Sequence, residues 1–135
     1  AIVHRHAVFE LAPAKGDSQS ADLIIFKGSG GTAEGNINRW KGQFEPPKGK
    51  KLEDVSKVTK DVKVAGFPAT RLDIEGTYLD KPFPMAKKFV KRPGYRMIAY
   101  HIEGKRSIYH IKFYGPKATI AKHEKDFQHW LDSFK

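Results

Sequence analysis

The stretch from Tyr95 to Tyr114 constrains this chain more than any other. It reads as two apolar strands, Tyr95 to Ile102 and Arg106 to Tyr114, joined around Glu103-Gly104. With those two residues as the turn, Ile102 faces Lys105 and Ile98 faces Tyr109. One face then carries Ile98, Tyr100, Ile102, Tyr109, Ile111 and Phe113. The other carries Tyr95, Met97, Ala99, Ile108 and Tyr114. A sheet that is apolar on one side can leave the other side wet, but a sheet apolar on both needs cover on both.

Two segments have the spacing to supply that cover. Ala33, Ile37, Trp40 and Phe44 make one apolar stripe, which predicts a helix from about Thr32 to Gln43. Thr32 is its N-cap, Gly35 weakens it by up to ~1 kcal/mol relative to Ala, and Glu45-Pro46-Pro47 ends it. A second helix opens at Gly115-Pro116 and runs to about Ser133. Ile120, Phe127, Trp130, Leu131 and Phe134 line one side, while Lys122, Lys125 and Asp126 stay wet.

The remaining strands are shorter. Arg5, Ala7, Phe9 and Leu11 share a parity, and Pro13 with the polar stretch Lys15 to Ser20 ends that strand. Ala21 to Phe26 is a continuous apolar run, expected to be covered on both faces. Lys48 to Ser56 reads as a basic exposed loop. Val58, Lys60, Val62 and Val64 share a parity, Ala65-Gly66-Phe67-Pro68 supplies a turn, and Thr70, Leu72 and Ile74 alternate with Arg71, Asp73 and Glu75. The segment 57–77 is therefore expected to be a hairpin. The order is β-β-α-ββ-loop-ββ-α, which predicts an α+β fold: one domain over residues 1–135, a three-layer α/β/α sandwich with a mostly antiparallel sheet.

Composition agrees with a single packed domain. The chain has 135 residues, 39% hydrophobic and 12% aromatic, enough for a core. Cysteine is absent, which excludes a disulfide framework, a cysteine nucleophile, a thiolate zinc site, an iron–sulfur cluster and covalent c-type haem. No run of about 18 apolar residues occurs, so no membrane span is expected. The sequence begins at Ala1, which suggests an exported, periplasmic-type protein whose signal peptide has been removed. Lys and Arg number 25 against 15 Asp and Glu, and the net charge of +10 draws the chain towards acidic partners.

Much of that excess falls in one place. Lys81, Lys87, Lys88, Lys91, Arg92 and Arg96 are six positive charges with no acid among them, interleaved with Phe83, Phe89 and Tyr95. Pro82, Pro84 and Pro93 argue against regular structure, so 81–96 reads as a long loop between hairpins. Basic and aromatic residues together suit an acidic protein surface or a nucleic acid. The plainer alternative is a solvated loop with Phe83 or Phe89 tucked into the core. Lys48, Lys50, Lys51, Lys57, Lys60 and Lys63 form a second basic region, diluted by Glu53, Asp54 and Asp61; a solvated face explains it better.

Gly28-Ser29-Gly30-Gly31-Thr32 lies between a strand and a helix, where backbone N–H groups can meet an anion. It lacks a Gly-Lys-Ser/Thr ending, and position 33 is Ala33 where G-x-G-x-x-G needs glycine, so a tight turn with positive φ is the better reading. His4 and His6 share one side of a strand, His101 and His110 share a face some residues apart, and His123 and His129 point to different sides of a helix. A scattered surface set, with no metal site, is expected. No catalytic residue is assigned: Ser29 lacks the G-x-S-x-G frame, and Asp73 and Glu75 are expected to pair across strands with lysines.

Several segments together resemble a family of small exported bacterial proteins of unknown function. They are Ala21 to Pro47 (ADLIIFKGSGGTAEGNINRWKGQFEPP), the block VKVAGFPATRLDIEGTYL over 62–79, Tyr114-Gly115-Pro116, and Leu131-Asp132-Ser133-Phe134-Lys135. The resemblance implies a PsbP-like α/β/α sandwich, no cofactor and no established catalytic residue. By analogy with extrinsic subunits of that fold, and with a Ran-binding import factor that shares it, it implies a protein binder that helps assemble or stabilise a larger complex. Small proteins of this kind accompany multihaem oxidoreductases that oxidise hydroxylamine or hydrazine, which makes such an enzyme one candidate partner. The 81–96 stretch is longer and more basic than in those relatives, which puts a shared partner in doubt and marks the stretch as this chain's specific element.

The leading expectation is a non-catalytic accessory protein docking through 81–96 on an acidic surface. The alternatives are a nucleic-acid binder, and a carrier of a small ligand or anion at 28–32 or in a cleft between sheet and helix.

Overall fold

A computed structural model describes residues 4–16, 19–28, 30–81 and 88–133, the side chains of 4–9 excepted. Its strands are β1 (His4–Leu11), β2 (Ala21–Lys27), β3 (Phe44–Glu45), β4 (Ser56–Val64), β5 (Phe67–Asp80), β6 (Val90–Glu103) and β7 (Ile108–Pro116). Its helices are α1 (Ala33–Lys41) and α2 (Lys117–Asp132), with a 3-10 turn at Leu52–Val55. The strands form one antiparallel sheet in the order β1-β2-β7-β6-β5-β3, and β4 also pairs with β5. The fold is therefore α+β. Among the described residues no helix is long and apolar enough to cross a membrane.

Alternation in the central strands builds two cores on opposite faces. Ile98, Tyr100, Ile102, Ile111 and Phe113 pack with Ile120, Phe127 and Leu131 of α2. Tyr95, Met97, Ala99, Leu72 and Ile74 pack with Ile37 and Trp40 of α1. The two faces of the β6–β7 hairpin are thus divided as the sequence predicts. Burial of side chains the size of Trp40 and Phe113, at 1% and 0% exposure, is worth about 2–3 kcal/mol each.

The register of that hairpin differs from expectation. Ile102 pairs with Tyr109 and Ile98 with Phe113, because the connection is the four residues 104–107 rather than two. Gly104 is tightly held there: a Cβ would lie 2.8 Å from the Ser107 carbonyl oxygen. The even slip preserves every side chain's face while moving its partner, since faces alternate with period two.

Other departures have local causes. Helix α1 ends at Lys41, and Phe44 reaches the core from β3 instead of from a longer helix. The turn of the β4–β5 hairpin is only Ala65-Gly66, both at positive φ, so Phe67 and Pro68 already belong to β5. Strand β4 carries a bulge between Thr59 and Val62, which breaks the expected parity: Val58 packs on the α1 side and Val62 on the α2 side. The expected loop 48–56 contains the 3-10 turn, whose Leu52 packs against the α1-side core.

The 81–96 stretch is not one loop. Strand β6 starts at Val90, and residues 90–96 pair with β5. Pro93 is accommodated because Pro93 and Gly94 fall in an irregularity between Tyr78↔Arg92 and Gly76↔Tyr95, where no ladder N–H is demanded of the proline.

Candidate functional site

The charges expected to stand unopposed are partly spent inside the fold. The Arg96 guanidinium donates to both Asp73 carboxylate oxygens, at 2.9 and 2.7 Å, and to Glu124 Oε1 of α2 at 2.9 Å. Its Asp73 partner holds the guanidinium pKa further above its ordinary value. Arg92 donates to Asp80 Oδ2 at 2.8 Å, and Lys91 pairs with Glu45 at 3.1 Å. Strand pairing brings these acids alongside, which adjacency in sequence could not reveal. Asp73 thus pairs with Arg71 and Arg96 rather than with lysine, and Glu75 pairs with Lys117.

What remains at the tip of the β5–β6 hairpin is smaller. Lys81 and Lys88 are exposed, and Lys81 Nζ sits 5.5 Å from the centre of the Phe89 ring. Phe89 and Val90 are 52% and 43% exposed, so Phe89 is not tucked into the core. Phe83 and Lys87 lie outside the described residues, as does Ser29 of the glycine loop.

The described part of the glycine loop has the positive φ that a tight turn needs. Gly30 and Gly31 take positive φ, and the Thr32 hydroxyl accepts from the Gly35 N–H at 3.0 Å, the expected N-cap. The Gly28 N–H is spent on the Ile108 carbonyl oxygen at 2.7 Å. Asn36, only 2% exposed, donates to the Thr32 carbonyl oxygen at 2.8 Å and accepts from Arg39 at 2.7 Å. Asn36 fastens the loop to α1 and was not singled out by the sequence.

The slipped register creates the largest surprise. His101 and His110 are directly opposite, with Nδ1 of His101 3.0 Å from Nε2 of His110, and each ring is 1% exposed. They are a buried pair, not scattered surface residues. His110 is boxed by Trp40 and Phe26, both edge-on at 4.9 and 5.2 Å between ring centres, and by Gly28, where a Cβ would lie 3.0 Å from its Cε1. Burial, followed by the neighbouring His101, pushes the His110 pKa down to about 4. Burial also lowers that of His101, against an opposing pull from Glu103. Both imidazoles are therefore neutral near pH 7.

A cleft of about 530 Å³ opens beside this pair, between α1 and the β4–β5 hairpin. His101, Ile37, Val58, Ala69 and Thr70 line it, with the N-terminal end of α1. Among the described residues no group of three His, Cys, Asp or Glu is placed to hold a metal ion.

These features describe an α+β domain with one antiparallel sheet and a helix packed on each face. A crystal structure of the same general fold is that of PA94 from Pseudomonas aeruginosa, a protein of unknown function and suggested regulator. It superposes with a TM-score of 0.58 at 15% identity, covering 99% of this chain and 82% of that one. At that identity the likeness is one of fold alone. No protein-family model matches the chain, and no curated protein matches it.

Proposed function

We propose that this chain is a non-catalytic accessory protein that docks on an acidic partner through the tip of the β5–β6 hairpin. The observation that carries the reading is the juxtaposition of Phe89 and Val90, exposed, with Lys81 and Lys88 beside them. An apolar anchor ringed by positive charge fits a partner patch that is apolar at its centre and acidic at its rim. The internal pairing of Lys91, Arg92 and Arg96 narrows the docking element to 81–90.

The helix in each core supports reading the fold as a three-layer α/β/α sandwich of the PsbP-like kind. On that reading the partner is a larger exported complex, a multihaem oxidoreductase being one candidate. Analogy of fold supports this last step.

The test is co-purification from the native host at gentle salt. The combined variant Lys81→Glu, Lys88→Glu, Phe89→Ala is expected to lose a partner that the native chain retains. Losing the Phe89 anchor alone costs about 2 kcal/mol of binding, about 30-fold in affinity. Reversing Lys48, Lys50 and Lys51 is expected to change nothing. An unchanged partner set in the first variant sinks the proposal. Binding instead to unrelated DNA, falling steeply with salt, replaces it with the nucleic-acid reading.

A further inference from the structure

We infer that the His101–His110 pair is an acid-operated latch for helix α1: when the pair takes up a proton, α1 lifts from the sheet while the sheet and α2 stay folded. The inference is independent of the docking proposal.

The bonding of the pair resists protonation in place. Two neutral imidazoles carry one proton each, and one of these lies on the 3.0 Å line between His101 Nδ1 and His110 Nε2. The other sits either on His101 Nε2 or on His110 Nδ1. Adding one proton to either arrangement, with the shared bond kept, gives the same cation, in which His110 Nδ1 carries an N–H. That atom is buried and has no hydrogen-bond partner among the described residues. A buried donor without an acceptor is costly, and more so on a charged ring. The alternative cation, with Nδ1 bare, sets two N–H groups face to face across the 3.0 Å contact.

The surrounding charges act in the same direction on His110. Burial is the larger influence, followed by His101, Arg39 of α1 and Lys112 of β7, and together they push its pKa down to about 4. On the His101 side, Glu103 of β6 pulls the other way against burial. The cleft beside His101 also carries Glu34 and Lys41 of α1 and Lys60 and Asp61 of β4. None of these supplies an acceptor to Nδ1, which belongs to the other ring, the one that Trp40 and Phe26 enclose.

The walls around His110 differ in how firmly they are held. Strands β6 and β7 are each paired on both sides, so the two rings cannot be drawn apart. Phe26 belongs to β2, which is paired with β1 and β7. Trp40 belongs to α1, which has nine residues, too few to be stable alone. The buried side chains of α1 are Asn36, Ile37 and Trp40. Among the described residues no ion pair joins α1 to the sheet, whereas α2 is tied to it by Arg96 with Glu124 and by Lys117 with Glu75. Helix α1 is therefore the wall that gives way. Its departure opens Nδ1 to water and takes Arg39 away from the ring. It also uncovers Leu72, Ile74, Met97 and Ala99, so acid turns one buried face of the sheet into an apolar surface.

The test uses the full native chain between about pH 7 and pH 4. Amide hydrogen exchange, corrected for its intrinsic pH dependence, is followed alongside nitrogen NMR of the imidazoles. With the ring pKa near 4 when closed and 6.5 when open, opening of α1 is expected to become about 40-fold more favourable between about pH 6.5 and pH 4.5. Amides 37–41 are expected to lose protection by that factor, while those of β6, β7 and α2 keep theirs. Protonation of the pair is expected to follow the same curve. The variant His101→Leu, His110→Leu is expected to abolish the pH dependence of α1. Ile37→Ala loosens α1 without touching the pair and is expected to move its opening to higher pH, which keeps the test decisive if the double variant fails to fold. The inference is overturned by protonation of the pair with α1 still protected, or by opening of α1 without proton uptake there. Simultaneous loss of protection in α1, the sheet and α2 overturns it too, as does pH dependence that survives in the double variant or an unmoved midpoint in Ile37→Ala.

Discussion

At the scale of single residues, the histidine pair makes the sharpest claim about solution behaviour. The folded His110 resists protonation, its pKa being held near 4 by burial rather than at the ordinary 6.5. As pH falls below that ordinary value, the unfolded chain takes up the proton first, so acid favours unfolding. The neutral pair's contribution is intact above about pH 6.5 and is lost as pH falls towards the folded pKa, by up to roughly 3 kcal/mol. Urea unfolding between about pH 7 and pH 4.5 is expected to show this decline. The double variant His101→Leu, His110→Leu removes both polar partners together and is expected to flatten it. An equally steep decline in that variant would place the acid sensitivity elsewhere. Little of this was legible in the sequence. Both residues were assigned to one face correctly, but their burial and pairing follow from partners that lie far off in the chain: Trp40, Phe26 and Gly28.

Elements were easier to read than their registration. The start of helix α1 with its Thr32 cap, the apolar run of β2 and the stripe of α2 through Ile120, Phe127 and Leu131 are visible as local periodicity and stand where they are expected, while Phe134 lies outside the described residues. The β6–β7 register was not, because Glu103-Gly104 looks like a two-residue turn while the chain uses residues 104–107. The same holds for β6 itself: Pro93 reads as a strand breaker unless the irregularity opposite Gly76–Tyr78 is known. A cross-link tests the register directly. Glu103 and Ile108 are paired, so the variant Glu103→Cys, Ile108→Cys is expected to form an intramolecular disulfide on mild oxidation, paired strand positions lying within disulfide reach. Two free thiols that persist under oxidation, in a folded chain, would favour the shorter turn.

At the scale of the whole molecule, the net charge of +10 divides into structural and available parts. Arg71, Arg92, Arg96, Lys91 and Lys117 are engaged with acids brought in by strand pairing or by α2. Lys81 and Lys88 remain at the hairpin tip beside an exposed ring. The sequence therefore overstated how much of the 81–96 charge stands unopposed, since ion pairs between strands are set by topology. The cleft was foreseen only as a gap between sheet and helix; its polar floor required the register. The docking claim is tested most directly by a photo-reactive phenylalanine analogue in place of Phe89, irradiated in the native host's extract. The account predicts one discrete acidic protein cross-linked at that position, reduced by added salt and by Lys88→Glu, and not captured by the same probe at Lys50. Equal capture from both positions, or none at position 89, would contradict it.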